Sequence, residues 1–280
     1  MSHYEYLRQK WSGRHRSLQE NLWKKHENVL EKLRSSSKQI IAGSLASIIL
    51  LSRPLSKVSL VRNFSLLPVH VLKAAPVSRK DELIVSLLLA LPKTVEPLTP
   101  EQETNVTQIL TKMFKFSVTA ELDGKRLNRN YGLIGAEQHL ARYPGDTMAT
   151  HFDNPQDRRF YSSGMAPGLG GWGYFDNSEQ EKYYIAVPVF LSPGWQEKKM
   201  DLVNFFRFRK MLVVNPQNGK AIVADIGDSG PAEWTGKHLG GSPEVMSYLE
   251  REDGAARGPV LYFFINDPNN KIPLGPVAVQ

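Results

Sequence analysis

The chain has 280 residues, of which 41% are hydrophobic and 22% charged, with a net charge of +7 and no cysteine. That length suffices for one ordinary domain plus a tail or anchor, and the ordinary hydrophobic content excludes wholesale disorder. Absent cysteines exclude disulfide frameworks, thiol catalysis and Cys-ligated zinc, and because residues 1–38 hold nine Lys or Arg against four Glu, +5 of the +7, no nucleic-acid-binding face is expected on the rest.

Residues 4–38 read as a charged helix, with Leu7, Trp11, Leu18, Leu22 and Leu30 among Lys, Arg, Glu and Gln. Gln39 to Leu51, QIIAGSLASIILL, then runs thirteen residues without a charge. It is shorter than the ~18–20 residues of a bilayer-spanning helix. It nevertheless follows a basic stretch and precedes Arg53-Pro54, so residues 39–61 are read as a signal-anchor. The positive-inside rule puts residues 1–38 in the cytoplasm and the remainder outside, as a single-pass protein of the cell membrane. The competing reading of the same run is a buried core helix. Residues 62–116 read as a stem with helices. One follows the apolar run Leu83 to Leu91; a clearer one starts at Thr99, where Pro100 suits the first turn and Gln102 completes a capping box before Val106, Ile109, Leu110 and Phe114.

From residue 117 to 280 the pattern is mainly β. Ser117 to Leu122 and Lys125 to Leu127 flank an Asp123-Gly124 turn. Tyr183 to Phe190, Lys210 to Val214, Ala221 to Ile226 and Val260 to Ile265 are further strands, and Ser242 caps a helix over Pro243 to Glu250. Many short strands with one or two helices suggest a barrel or a sandwich.

Residues 211–249 carry the most information. A strand leads through Asn215 to Lys220, a hairpin containing Asn218-Gly219, into the strand Ala221 to Ile226. That strand ends in Gly227-Asp228-Ser229-Gly230-Pro231, and a Gly-rich loop then delivers the helix at Ser242. Gly227 and Gly230 permit a sharp turn, Pro231 stops the strand, and Asp228 is expected to project from the rim. This order resembles the double-psi β-barrels of the rare lipoprotein A type, cell-wall lytic transglycosylases related to expansins and family-45 glucanases. The likeness covers about residues 147–268 and is firm over 211–249. Upstream, His151-Phe152-Asp153 is matched to the family's opening strand and Ser162-Ser163-Gly164 to the turn that follows it. The resemblance implies a six-stranded double-psi barrel with short helices, here preceded by the helical anchor and stem read above, a peptidoglycan or other wall polysaccharide as partner, and one acid/base carboxyl group. The His that family members carry in the strand at Ile185-Ala186-Val187 has no counterpart.

Protonating a glycosidic oxygen requires a carboxylic acid, often with a second carboxylate opposite. Asp228 is the expected acid/base and Asp153 its helper. His151, Ser163, Trp172, Tyr174, Ser229 and Trp234 are the expected substrate-binding set, with the run Pro167 to Phe175 shaping a groove wall. A non-catalytic wall-binding or envelope-assembly domain is the alternative, since an Asp in such a turn also serves as a backbone hydrogen-bond acceptor. Gly-Asp-Ser-Gly-Pro lacks one glycine of the serine-protease motif, and His151 stands too near Ser229 for that fold. A wall peptidase would draw on His139, His151, Asp153 and His238, but no His-Glu-x-x-His or His-x-His spacing joins them, and no metal or cofactor is expected.

Overall fold

Strict two-residue alternation on three strands builds the core. In β6 (Lys210–Val214) Met211 and Val213 face one way, and Leu212 and Val214 the other. In β7 (Ala221–Ser229) Ile222, Ala224 and Ile226 join the first side, and Ala221 and Val223 the second. In β9 (Gly258–Ile265) the split is Val260, Tyr262 and Phe264 against Leu261, Phe263 and Ile265. Both faces of these strands are thus apolar, which requires a layer on each side.

The inner layer is the interior of a closed six-stranded barrel. With β4 (Tyr131–Ala136), β5 (Tyr184–Val187) and β8 (Leu239–Gly241), the ring runs β4, β8, β5, β7, β6, β9 and back to β4. Pairing is antiparallel except for β4 with β8 and β5 with β7, which are parallel. The computed structural model that shows this describes residues 78–251 and 258–280. The expected basic segment, residues 1–38, the anchor, residues 39–61, and the first part of the stem, residues 62–77, lie outside the described residues. Among the described residues no helix is long and apolar enough to cross a membrane.

The outer layer consists of two helices. Helix α1 (Arg79–Ala90) starts at Ser78, whose hydroxyl accepts from the Asp81 N–H, and α2 (Pro100–Phe114) starts with the expected capping box between Thr99 and Gln102. Both fall in the stretch read as a stem. Their Leu83, Leu87, Val106, Leu110, Met113 and Phe114 are buried with the outward residues of β6, β7 and β9. Two shorter helices, one over Lys199–Phe206 and one over Pro243–Tyr248, send Leu202, Phe206, Val245 and Met246 into the inner core.

Several expectations from sequence shift. Glu121–Leu122 (β2) and Lys125–Arg126 (β3) form the small hairpin about Asp123-Gly124, while Val118–Thr119 (β1) leaves it to pair with β9. His151-Phe152-Asp153 is not a strand: it is irregular and leads into a 3-10 helix over Pro155–Ser163, so the barrel opens instead with β4. The strand expected to end at Ile226 continues to Ser229, which makes Asp228 a strand residue.

One outward residue of β7 breaks the apolar rule. Asp225 is 1% exposed, and neither of its carboxylate oxygens has a hydrogen-bond partner among the described residues. Burial pushes its carboxyl well above the usual range. A carboxyl neutral in the folded state but ionised in the unfolded state contributes stability that is full at acid pH and is lost as pH rises toward the folded value. We expect Asp225→Asn to flatten that loss, so that denaturant midpoints at pH 5 and pH 8 differ less than in the wild type. We also expect Leu110→Ala, beneath the helical layer, to lower unfolding free energy by about 2–5 kcal/mol, read from the same denaturation curves.

Candidate functional site

Cross-strand register aligns four residues in one row over the barrel wall: Gly135 of β4 pairs with Gly240 of β8, Gly240 with Ala186 of β5, and Ala186 with Asp228 of β7. Neighbours on either side, such as Ile134, Leu239, Ile185 and Ile226, point into the core, so this row faces out. Its first three members are small, and two polar side chains lie along them. Lys237 comes from just before β8 and runs over Gly135, where a Cβ would stand 2.8 Å from its Cδ. Glu137 comes from just after β4 and folds back over Gly240, where a Cβ would overlap its carboxylate. They meet at 3.1 Å, Lys237 Nζ to Glu137 Oε1, and the same ammonium donates to the Ala136 carbonyl at 2.6 Å.

Asp228 closes the row. Its Oδ1 accepts from the Gly171 N–H at 2.6 Å and from the Ser229 N–H at 2.7 Å, while among the described residues no hydrogen bond reaches Oδ2. The group is half-buried and turned away from the core. It acts on Glu137: burial raises the Glu137 carboxyl above its usual range, Lys237 opposes that, and the charge of Asp228 adds to it. The wall therefore carries one carboxylate fixed by main-chain amides beside another held toward its neutral form. On its other side Glu137 lines a cavity of about 550 Å³ with Ser163, Arg159, Phe160 and Ser247.

The other expected residues divide. Trp172 is half-buried against the core and donates its indole N–H to the Ile226 carbonyl at 2.8 Å, which fixes the loop that carries Gly171. Ser229 supplies its amide to Asp228. Tyr174 is 38% exposed; Trp234, between β7 and β8, is 89% exposed with its ring free to meet a ligand.

Asp153 and His151 belong to a different cluster. Arg142 Nη1 contacts both Asp153 oxygens at 2.9 and 3.0 Å, and its Nε reaches Asp146 Oδ2 at 3.2 Å. Asp146 Oδ2 lies 2.9 Å from His151 Nδ1, His151 Nε2 lies 2.9 Å from Glu181 Oε2, and Glu181 Oε1 lies 3.2 Å from His139 Nδ1. Burial pulls the His151 imidazole down, but its two carboxylate partners, Glu181 and Asp146, carry it above its ordinary value. Glu244 faces the same cluster, and burial pushes its carboxyl up to about 7. Tyr184 is buried between the two groups: its hydroxyl is raised first by burial and then by Glu137, Glu181, Asp228 and Glu244.

Sequence reading missed Glu137, Lys237, Glu181 and Glu244. Glu137 follows a strand carrying two glycines, a composition that obscures strands. Glu181 sits far in sequence from the histidines it joins. No protein-family model matches the chain, and no curated protein matches it.

If the amide bonds to Asp228 fix the loop, Asp228→Asn keeps an oxygen acceptor and leaves stability within about 1 kcal/mol, while Asp228→Ala orphans two N–H groups and costs about 1–3 kcal/mol. Chemical denaturation of the two variants tests this. Equal losses would show that the bonds contribute little.

Proposed function

We propose that this chain is an exported, membrane-anchored protein, held through residues 39–61, whose barrel is of the double-psi kind and acts on cell-wall glycan. The observation that carries the reading is the pair of carboxyl groups on one barrel wall, Asp228 from the Asp-Ser-Gly-Pro strand end that resembles the rare lipoprotein A type and Glu137 from just after β4. Pairs of acids in unequal environments suit acid/base division of labour. Glu137, whose carboxyl burial raises above its usual range, donates its proton to the leaving glycosidic oxygen. Asp228, with Oδ1 anchored and Oδ2 open, takes the proton of the attacking hydroxyl, whether water or the sugar's own 6-hydroxyl. The exposed Trp234 ring and the cavity beside Glu137 and Ser163 offer stacking and hydrogen-bonding surface for neighbouring sugars.

A non-catalytic wall-binding domain is the second reading. Two facts favour it: Ala186 stands beside Asp228 where the family's histidine strand runs, and Asp228 already serves two backbone amides.

Peptidoglycan sacculi incubated with the purified full chain separate the two. We expect release of soluble fragments, falling by about 100-fold or more in Asp228→Asn and in Glu137→Gln, with co-sedimentation on sacculi retained. Because the raised Glu137 carboxyl must be protonated to act, release should decline as pH rises through its titration, and Glu137→Gln should remove that limb. Binding without release supports the second reading, and neither binding nor release overturns both.

A further inference from the structure

The buried histidine and carboxylate cluster is not used by the wall chemistry, and its parts point elsewhere. His139, from just after β4, is 0% exposed; His151, from the long connection to β5, is 3% exposed; Glu181, on helix α3 (Ser178–Lys182), is 2% exposed. One ligand atom from each of the three lies within 4.8 Å of the others. Glu181 spans the two imidazoles with different oxygens, Oε2 at 2.9 Å from His151 Nε2 and Oε1 at 3.2 Å from His139 Nδ1, and each spacing is near the ~3.3 Å ligand–ligand edge of a tetrahedral zinc site.

Two further buried atoms of these side chains lack a partner. His139 Nε2 has no hydrogen bond among the described residues, and neither has Glu244 Oε2, on a side chain whose nearest charged neighbours include His139 and Glu181. An ion would give Glu244 Oε2 the partner it lacks, and a buried polar atom without one costs about 1–3 kcal/mol. His151 has the outer support usual for a metal-bound imidazole: Asp146 takes its Nδ1 side and is itself held by Arg142, which leaves Nε2 for an ion. A cavity of about 280 Å³, lined by His151, Glu181 and Glu244 among others, reaches the cluster and gives an ion a way in.

We propose that His139, His151 and Glu181 bind a divalent transition-metal ion of the zinc class, with Glu244 at the fourth position and Asp146 orienting His151. Two imidazoles with one or two carboxylates suit Zn²⁺ and disfavour Ca²⁺ or Mg²⁺, which prefer all-oxygen sites. The ion would replace the present contacts of Glu181 with the two rings and offset the buried charges of Glu181 and Glu244. It would also tie the start of the β4–β5 connection, its middle, α3 and the helix carrying Glu244 to one point. Asp153 and His238 are not ligands: Asp153 is held by Arg142, and His238 Nδ1 accepts from the Leu133 N–H at 3.0 Å.

The full chain, stripped with chelator, loaded with ZnCl₂ and desalted, should retain one zinc per chain by elemental analysis. At zinc about 100-fold above Kd its Tm should rise by about 5 °C or more, while MgCl₂ gives no shift. Cobalt titration should give the intense visible bands of a tetrahedral site, and zinc should displace them. Glu181→Gln and His151→Ala should weaken binding about 100-fold, and Asp146→Asn about 10- to 100-fold. His238→Ala and the pair His15→Ala, His26→Ala should leave it unchanged. Should Glu181→Gln or His151→Ala fail to fold, the wild-type cobalt spectrum decides: weak octahedral bands or none overturn the site, as does unchanged zinc retention in a folded variant. None of these outcomes depends on glycan chemistry.

Discussion

Strand β5 is four residues long, all of them buried, and the rest of the molecule is arranged about it. It lies between β7, to which it is parallel, and β8, to which it is antiparallel, so its backbone is bonded on both sides. Without it the ring would open between β7 and β8, exposing two edges whose residues face an apolar interior. The constraint also sets side-chain direction. Ile185 and Val187 point into the core and Ala186 points out, so the one small outward residue falls in line with Gly240 and Gly135. Tyr184 begins the strand and separates the two polar clusters; Val187 ends it, where its carbonyl accepts from the Gly230 N–H and holds the Asp-Ser-Gly-Pro turn in place.

The outer wall shows how packing produces reactivity. Charged side chains normally stand off a sheet into water. Here Glu137 and Lys237 lie flat because glycines beneath them remove the Cβ atoms that would lift them away. Laid flat, Glu137 loses solvent and approaches Asp228, and its proton affinity rises. Substituting Gly240 would displace the carboxylate without altering any hydrogen-bonding group. The shift at β5, where Ile185 pairs with Ile226 but Ala186 with Asp228, is equally necessary. This irregularity skips Gly227 and turns Asp228 outward, since regular alternation from Ile226 would send residue 228 into the core.

The parts legible in the sequence were those that local physics specifies: the capping box at Thr99, the turns at Asp123-Gly124 and Asn218-Gly219, and the alternating strands β6, β7 and β9. The stretch from Asn215 to the Ser242-capped helix was legible as a unit, because turn residues and alternation agree throughout it. What stayed hidden depends on distant partners. Strands β4 and β8 are glycine-rich and have little strand preference of their own; their pairing with neighbours makes them strands. Asp228 could be singled out from its turn, whereas Glu137 and Glu181 acquire meaning only from side chains that barrel closure brings alongside. The aromatic residues were legible in kind but not in use: Trp172 is committed to the Ile226 carbonyl, while Trp234 is fully presented.

The long connection from β4 to β5 joins the two clusters into one problem of stability. Residues 137–183 contain little regular structure beyond one 3-10 helix and the five-residue α3, and their own apolar cluster is small, built on Leu140 and Phe175 against Tyr184. An ordered segment of that length must offset about 1–2 kcal/mol of backbone entropy per residue. Much of the tie is therefore polar: Arg142, Asp146, His151, Glu181 and His139 form one chain of contacts across it. Such a chain is sensitive to the loss of any member, because removing one charge leaves its buried partner uncompensated. The same connection carries Gly171, whose amide fixes Asp228, and Trp172, which pins that loop to β7. Order in the histidine cluster is in this way a precondition for a fixed carboxylate on the wall, and the two are joined at Gln138, between Glu137 and His139, whose carbonyl accepts from the Tyr184 hydroxyl.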